Sequence, residues 1–256
     1  KRFMESVISK IEDNIYNFFI KIGKKAGRTV HIDKNIKWVI TRPSVWPNYI
    51  FDAKFENSNI DKNIIYIKEQ IKGKKAPSQW FVGPRSNSAI LAKALNKHGF
   101  TKIGQWTGMS VALSKINRNF SKLSNLTINA VTNKEMLHKW VEVVSLAMFG
   151  GNFTNIDLFK NLLFDQEVYF YLAFLNRKAI ATSMLFTSSG IAGLYMISTL
   201  PEYRNQGVGT LITLTPLINA KKIGYYTGGL FATYLGEKVY RKIGFEKCCN
   251  FDIYTY

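Results

Sequence analysis

The sequence predicts an α+β protein built as two related units in tandem, and three observations carry that reading. Apolar residues at helical spacing alternate along the chain with short strand-like runs. A helix closing in Gly-Phe and leading into a strand occurs twice: Ala94 to Lys102 matches Val239 to Lys247 at a constant offset of 145, Gly99 aligning with Gly244. A strand precedes that helix in both copies, Trp80-Phe81-Val82 in one and Leu230-Phe231-Ala232 in the other. Finally, the strand end Leu194-Tyr195-Met196-Ile197 passes through Pro201-Glu202-Tyr203 and Arg204-x-x-Gly207-x-Gly209 straight into a helical pattern.

In chain order, Met4, Val7, Ile8, Ile11, Ile15, Phe18, Phe19 and Ile22 form the apolar stripe of a first helix, which Gly23 stops. Glu5, Glu12 and Asp13 make it an ordinary amphipathic helix rather than a membrane-surface one. Ile36 to Thr41 and Tyr49 to Phe55 read as strands, and Ile60, Ile64, Ile67 and Ile71 as a helix closed by Gly73. A strand at Gln79 to Val82, a helix from Ser88 to His98 and a strand at Met109 to Leu113 complete the first unit. Asn117 to Asn125, polar and basic, reads as the linker. The second unit opens with a strand, Leu126 to Val131, and a helix from Asn133 to Met148. A further helix at Ile156 to Phe164 leads to strands Val168 to Leu175, Ala179 to Thr187 and Ala192 to Thr199. Pro216 lies inside the helix that starts at Gly207; losing a donor there costs about 3 kcal/mol if nothing compensates, so a kink near Leu214 is expected.

With 256 residues, 46% hydrophobic and 14% aromatic, the chain can bury one large or two ordinary cores and is too apolar to be disordered. Its longest apolar run, Tyr169 to Leu175, is far short of the roughly 20 residues of a membrane span, and no export signal is visible. Cys248 and Cys249 are adjacent, which disfavours an ordinary disulfide and suits a reducing, cytoplasmic setting. His31, His98 and His138 are scattered, so no metal site is expected. The +18 charge, 35 basic against 17 acidic residues, could attract polyanions. The basic residues are interspersed, however, and solvated lysines are the better account.

Gly207 and Gly209 allow the backbone to approach an anion without a Cβ in the way, and the following helix aims unpaired N–H groups at it. Together with Gly236-Glu237-Lys238-Val239-Tyr240-Arg241-Lys242-Ile243-Gly244-Phe245, this turn resembles the GNAT superfamily of acetyl-coenzyme A-dependent N-acetyltransferases. Their signature is Arg/Gln-x-x-Gly-x-Gly/Ala followed by a Tyr-x-x-x-Gly-Phe element. The resemblance is specific over Leu126 to Tyr256. It implies a mixed, mostly antiparallel sheet flanked by helices in each of two tandem GNAT-like domains: a degenerate one at 1–120 and a catalytic one at 126–256. The first copy lacks the signature between Ile60 and Trp80, offering only Lys72-Gly73-Lys74-Lys75, and Leu95 stands where the second has Tyr240.

By that resemblance, Arg204, Asn205, Gln206, Gly207, Val208, Gly209 and Thr210 hold the pyrophosphate of acetyl-coenzyme A. Ile197, Ser198 and Thr199 bind its pantetheine arm, with their amides placed to stabilise the oxyanion. Tyr240 is the general acid for the leaving thiolate, although transfer from a phenol to a thiolate is uphill by roughly 2 kcal/mol. Glu237 is a weak candidate for the base, Glu202 in the turn reads as solvated, and many members of the family relay this proton through water; Thr233 with Gly236 matches a Ser/Thr-x-x-Gly variant of the last motif. The expected activity is acetyl transfer to a primary amine of a small molecule or peptide. The competing readings are an acyl transferase using aminoacyl transfer RNA, which would not need the pyrophosphate turn, and a non-catalytic acyl-coenzyme A-binding module. A nucleic-acid partner is the weaker expectation and a membrane is not expected; the oligomeric state is not readable.

Overall fold

The computed structural model describes residues 2–86, 88–121, 123–152 and 155–256, with side chains described apart from those of residues 2–4 and 235. The side chain of Met4 and the linker residue Lys122 lie outside the described residues. The elements are α1 (Arg2–Lys25), β1 (Thr29–Ile32), β2 (Lys37–Ile40), β3 (Asn48–Phe51), α2 (Ile60–Lys72), β4 (Gln79–Val82), α3 (Ser88–Lys97) and β5 (Thr101–Ala112) in the first half. The second half contributes β6 (Leu126–Ala130), α4 (Lys134–Phe149), β7 (Val168–Leu175), β8 (Lys178–Ser188), β9 (Ile191–Thr199), α5 (Val208–Lys222), β10 (Thr227–Ala232), α6 (Tyr234–Ile243) and β11 (Glu246–Thr255).

All of these strands form one sheet in the order β1-β2-β3-β4-β11-β5-β10-β9-β8-β7-β6. Among the described residues β3·β4 and β9·β10 pair in parallel and the other neighbours antiparallel. The centre of the sheet is an exchange: β5 of the first half lies between β10 and β11, and β11 of the second half lies between β4 and β5. Each half thereby lends its last strand to the other, and the sheet is continuous across the duplication.

Four elements depart from the sequence reading. β5 starts at Thr101 rather than Met109, because long-range pairing with β11, joined by β10 from Thr107 onward, holds a polar stretch that has no clear alternation. β1 is a four-residue edge strand with no sequence signal. The expected helix at 156–164 is two single turns, Ile156–Leu158 and Lys160–Leu162, whose Leu158 and Leu162 are buried as a helical stripe would be. β3 stops at Phe51, since Asp52 turns into a left-handed conformation, φ 53°.

On one face, α1 and α4 cover a single core that spans both halves, from Phe18, Phe19 and Phe251 to Trp140 and Phe170. On the other face, α5 and α6 pack over the second half through Ile212, Leu217, Tyr240 and Phe245. There α2 and α3 pack over the first half through Ile64, Ile67, Trp80 and Leu95. Among the described residues no helix is long and apolar enough to cross a membrane, and no group of three or more His, Cys, Asp or Glu could hold a metal ion. Cys248 and Cys249 are free thiols with Sγ atoms 3.6 Å apart, at a bulge of β11 against β5.

Pro216 does not end α5, which continues as one helix to Lys222. The carbonyl its missing N–H would have paired, that of Ile212, instead accepts the Ser183 hydroxyl of β8 at 2.8 Å. Ser183 is fully buried, so the sheet itself satisfies the group that the proline orphans. Ser183→Ala is therefore expected to lower stability by about 1–3 kcal/mol. Chemical denaturation checks this, and an unchanged midpoint would contradict it.

Candidate active site

The sheet opens where β9 and β10 part. Their parallel pairing covers Gly228–Ala192, Gly229–Gly193 and Leu230–Leu194 and stops there. Beyond it, Phe231 and Ala232 stay with β5, while Tyr195 to Thr199 lose their neighbour on that side. The cause is local: between Tyr195 and Ser198, β9 carries one residue more than β8, and Met196 adopts φ 49°. Thr182 pins this bulge by donating from Oγ1 to the Met196 carbonyl at 2.8 Å, with Ser198 Oγ 2.7 Å away. Of the strand-end residues singled out from the sequence, Ile197 and Thr199 are part-exposed, whereas the Ser198 side chain is buried against Thr182.

Next to that free edge stands the glycine turn. Asn205 (φ 61°) and Gly207 (φ 83°) both sit in the left-handed region, and Gly207 caps the start of α5. The first turn of a helix leaves its N–H groups without intrahelical partners. Here those of Asn205, Gln206, Gly207, Val208 and Gly209 make no hydrogen bond among the described residues, whereas the Thr210 N–H pairs with the Gly207 carbonyl at 3.1 Å. Five consecutive free donors at the positive end of a 15-residue helix form an anion cradle. The two glycines serve different needs. A Cβ on Gly207 would meet nothing within 4 Å, so its role is conformational. At Gly209 a Cβ would lie 3.9 Å from Thr199 Oγ1 and 4.0 Å from a Val239 methyl, so it keeps open the space between β9, α5 and α6.

Arg204 has a positioning role. Its guanidinium donates from Nε to the Thr199 carbonyl at 3.0 Å and from Nη2 to the Ala147 carbonyl at 3.0 Å, tying the end of β9 to the end of α4. Gln206 donates to the Glu202 carbonyl at 3.3 Å and steadies the same turn.

Tyr240 is buried on α6, its ring 6.0 Å from that of Phe245 in a T-shaped contact. Burial pushes its phenol above the usual range, and the hydroxyl makes no hydrogen bond among the described residues. Gly236, one turn earlier, makes room for it, since a Cβ there would lie 2.9 Å from Tyr240 Cε2 and 3.4 Å from Oη. Thr233 is the cap of α6, its Oγ1 accepting the Gly236 N–H at 3.4 Å. Neither carboxylate considered as a base is free: Glu237 is bonded to Arg241 at 2.7 Å, and Glu202, 3.4 Å from Lys178, has its carboxyl held below the ordinary value, chiefly by a backbone hydrogen bond.

The first half reproduces this geometry but fills it. Ile50 faces Trp80 as Leu194 faces Leu230, and two residues on, Asp52 matches Met196 in its positive φ. The counterpart of the glycine turn is thus the loop 52–59 entering α2, without glycine and with Glu56 and Asp52, rather than Lys72 to Lys75 at the end of that helix. Asp52 is ion-paired to Lys37 and Lys54, and Phe55 packs edge-on against Trp80. From the other face α1 inserts buried Glu12 and Tyr16. A Cβ on Gly83 would lie 2.2 Å from Glu12 Oε1, which accepts from Tyr16 at 3.2 Å, while Glu12 Oε2 pairs with Arg85 at 2.8 Å.

The strand exchange also fixes which loops share the end of the sheet with the open site. Three antiparallel steps link β4 to β10, so β3 runs opposite to β9, and the loop 41–47 that enters β3 lies at the end of the sheet where β9 and β10 diverge. The first half therefore places a loop at the same end of the sheet as the open site, which no motif in the sequence signals.

No protein-family model matches the chain, and no curated protein matches it significantly. Solved structures do. The chain is similar to a GCN5-related N-acetyltransferase from Kribbella flavida, with 15% identity over 97% of this chain and 95% of that one and a TM-score of 0.77. It is similar to a GCN5-related N-acetyltransferase from Sphaerobacter thermophilus at 13% identity, covering 88% and 81% of the two chains with a TM-score of 0.65. A tandem GNAT protein from the clavulanic acid biosynthesis pathway matches at 12% identity over 86% and 78%, with a TM-score of 0.63. A likeness at these identities concerns architecture: the chain has the tandem GNAT fold, an acyl-coenzyme A N-acyltransferase architecture, as a single mixed sheet flanked by helices on both faces.

Proposed function

We propose that the chain is an acetyl-coenzyme A-dependent N-acetyltransferase whose donor site lies in residues 126–256, residues 1–120 being a degenerate GNAT-like domain that helps shape the acceptor side. The observation that carries this reading is the row of free N–H groups from Asn205 to Gly209 beside the unpaired edge of β9. Such a cradle fits a pyrophosphate, and a free strand edge fits the amide-bearing pantetheine arm. Acetyl-coenzyme A would supply the thioester. Leu200 donates its N–H to the Ile180 carbonyl of β8, and Ser198, two residues earlier, turns the same way. The Thr199 amide between them is the one directed away from β8, toward the gap in which a carbonyl oxygen would gain charge, so it can stabilise that charge without reorganising. The unpartnered Tyr240 hydroxyl is available to the departing sulfur. With Glu237 and Glu202 both engaged, the acceptor ammonium would lose its proton to water. The acceptor is a primary amine of a small molecule or peptide, and the free cysteine pair fits a cytoplasmic setting.

Thermal shift of the full chain with acetyl-coenzyme A, coenzyme A and transfer RNA tests the reading. Stabilisation by both coenzymes is expected, and no response to either would overturn it. Gly209→Val gives a second test. A Cβ there meets only ordinary contacts, so the melting temperature should move little, while the added methyls enter the space next to Thr199 and weaken coenzyme binding by about tenfold or more. Calorimetric titration would check it.

A further inference from the structure

We propose that the acceptor amine carries a carboxylate, which Arg28 binds in a cavity between the two halves of the chain; this rests on the donor site described above. The cavity, of about 320 Å³, is lined by Arg28, by Ser44 and its neighbours in the loop 41–47, and by Asn152, Asn155 and Asp157 after α4. That size suits a small molecule.

Its position follows from the topology. The loop 41–47 stands at the end of the sheet where β9 and β10 part, and Gly150 to Asn152 leave the end of α4 that Arg204 ties to Thr199. Both belong to the face covered by α1 and α4, whereas the anion cradle belongs to α5 on the opposite face. A donor thioester in the gap between β9 and β10 would thus be met by an amine arriving from the cavity side.

Its chemistry follows from what is left unpaired. Arg28 Nε is enclosed yet makes no hydrogen bond, and its guanidinium has no ion pair among the described residues. An enclosed guanidinium N–H without an acceptor is costly unless a ligand supplies one. Asp157, the other charge in the wall, is paired with Lys160 at 2.7 Å, and its carboxyl is held below the ordinary value chiefly by that lysine, with a smaller pull from the Arg28 charge. Asn155 turns its side-chain oxygen to the Asp157 N–H at 3.1 Å, and Ser44 donates to the Trp46 carbonyl at 2.8 Å. The cavity therefore offers a planar cation with an enclosed N–H still open and no carboxylate within ion-pair distance among the described residues, and its geometry matches a carboxylate in two parallel hydrogen bonds.

The test uses the full chain, acetyl-coenzyme A and amines that differ only in a carboxylate: phenylalanine against 2-phenylethylamine, and lysine against cadaverine, with released thiol as the readout. Turnover is expected to favour the carboxylated member of each pair. Arg28→Gln should raise KM for that member by about tenfold or more, leaving kcat and the decarboxylated amine little changed, while Arg28→Lys recovers part of the loss. Acetylation favouring the decarboxylated amines, or an equal loss on both from Arg28→Gln, overturns the assignment and leaves the donor site standing. Absence of a thermal shift with either coenzyme overturns the donor reading, and this inference with it. Should Arg28→Gln fail to fold, the wild-type comparison of the amine pairs still decides.

Discussion

Removal of residues 1–120 is expected to leave residues 126–256 without a stable monomeric fold. The excised piece contains β5, which pairs with β10 from Thr227 to Ala232 and with β11 along nearly its whole length. Without it, β10 is left with only the three-residue parallel pairing to β9, and β11 has no neighbour in its own half. The same deletion strips α1 from the shared core, and with it the buried Phe18, Phe19, Ile15 and Ile22. Side chains of this kind contribute about 1.5–3 kcal/mol each when fully buried. Four of them already rival the roughly 5–15 kcal/mol by which a domain is stable. Circular dichroism and size-exclusion chromatography of the isolated piece should show aggregate, or a dimer in which two copies offer each other the missing edge. A monomer that melts cooperatively would contradict the dependence on β5. The proposed division at 1–120 and 126–256 thus describes the duplication in sequence, while stability is shared across it.

The features legible in the sequence are those written in a few neighbouring residues. Arg204 to Gly209 declared a turn because only glycine adopts φ 83° readily, and Val239 to Phe245 declared a helix end because Gly244 takes φ 112°. The exchange of β5 and β11 had no such mark. A strand's alternation specifies which face is buried and says nothing about which of two similar neighbours it joins. Met196 and Asp52 hide the bulge for a related reason: both take a positive φ that their side chains do not advertise, and the surrounding pairing imposes it. The filled counterpart of the turn at 52–59 therefore carries no mark of its own, while Lys72 to Lys75 carry the glycine and the charge. Arg28 and the loop 41–47 meet Asn152, Asn155 and Asp157 only through the topology, about a hundred residues away in sequence. Pro216 marks the opposite limit: the lost donor is plain in the sequence, whereas the serine of β8 that satisfies the carbonyl it leaves is not.

Tyr240→Phe is expected to lower kcat by about 100-fold or more while coenzyme binding changes little. The substitution removes one hydroxyl that has no partner in the fold, so it leaves no group orphaned and should not cost stability. A loss of rate can then be assigned to the reacting sulfur. Burial shapes how the phenol acts. An ordinary phenol near 10 is already a weaker acid than a thiol near 8.5, and burial raises Tyr240 further, so full proton transfer to the thiolate is uphill by more than about 2 kcal/mol. A hydrogen bond donated to charge that develops only in the transition state avoids that cost, and the dry surroundings that raise the phenol also strengthen the bond. The sign of the pH dependence follows. Because the phenol is shifted upward, its protonated form persists through the ordinary titration of tyrosine, and any decline of kcat below about pH 10 belongs to another group. The kcat profiles of the wild type and Tyr240→Phe should therefore run parallel up to that pH, separated by a constant factor. A profile in which the variant alone loses an alkaline limb near pH 8–9 would mean that Tyr240 ionises in the working range. An unchanged kcat would remove it from the chemistry and leave it as a core tyrosine packed on Gly236 and Phe245.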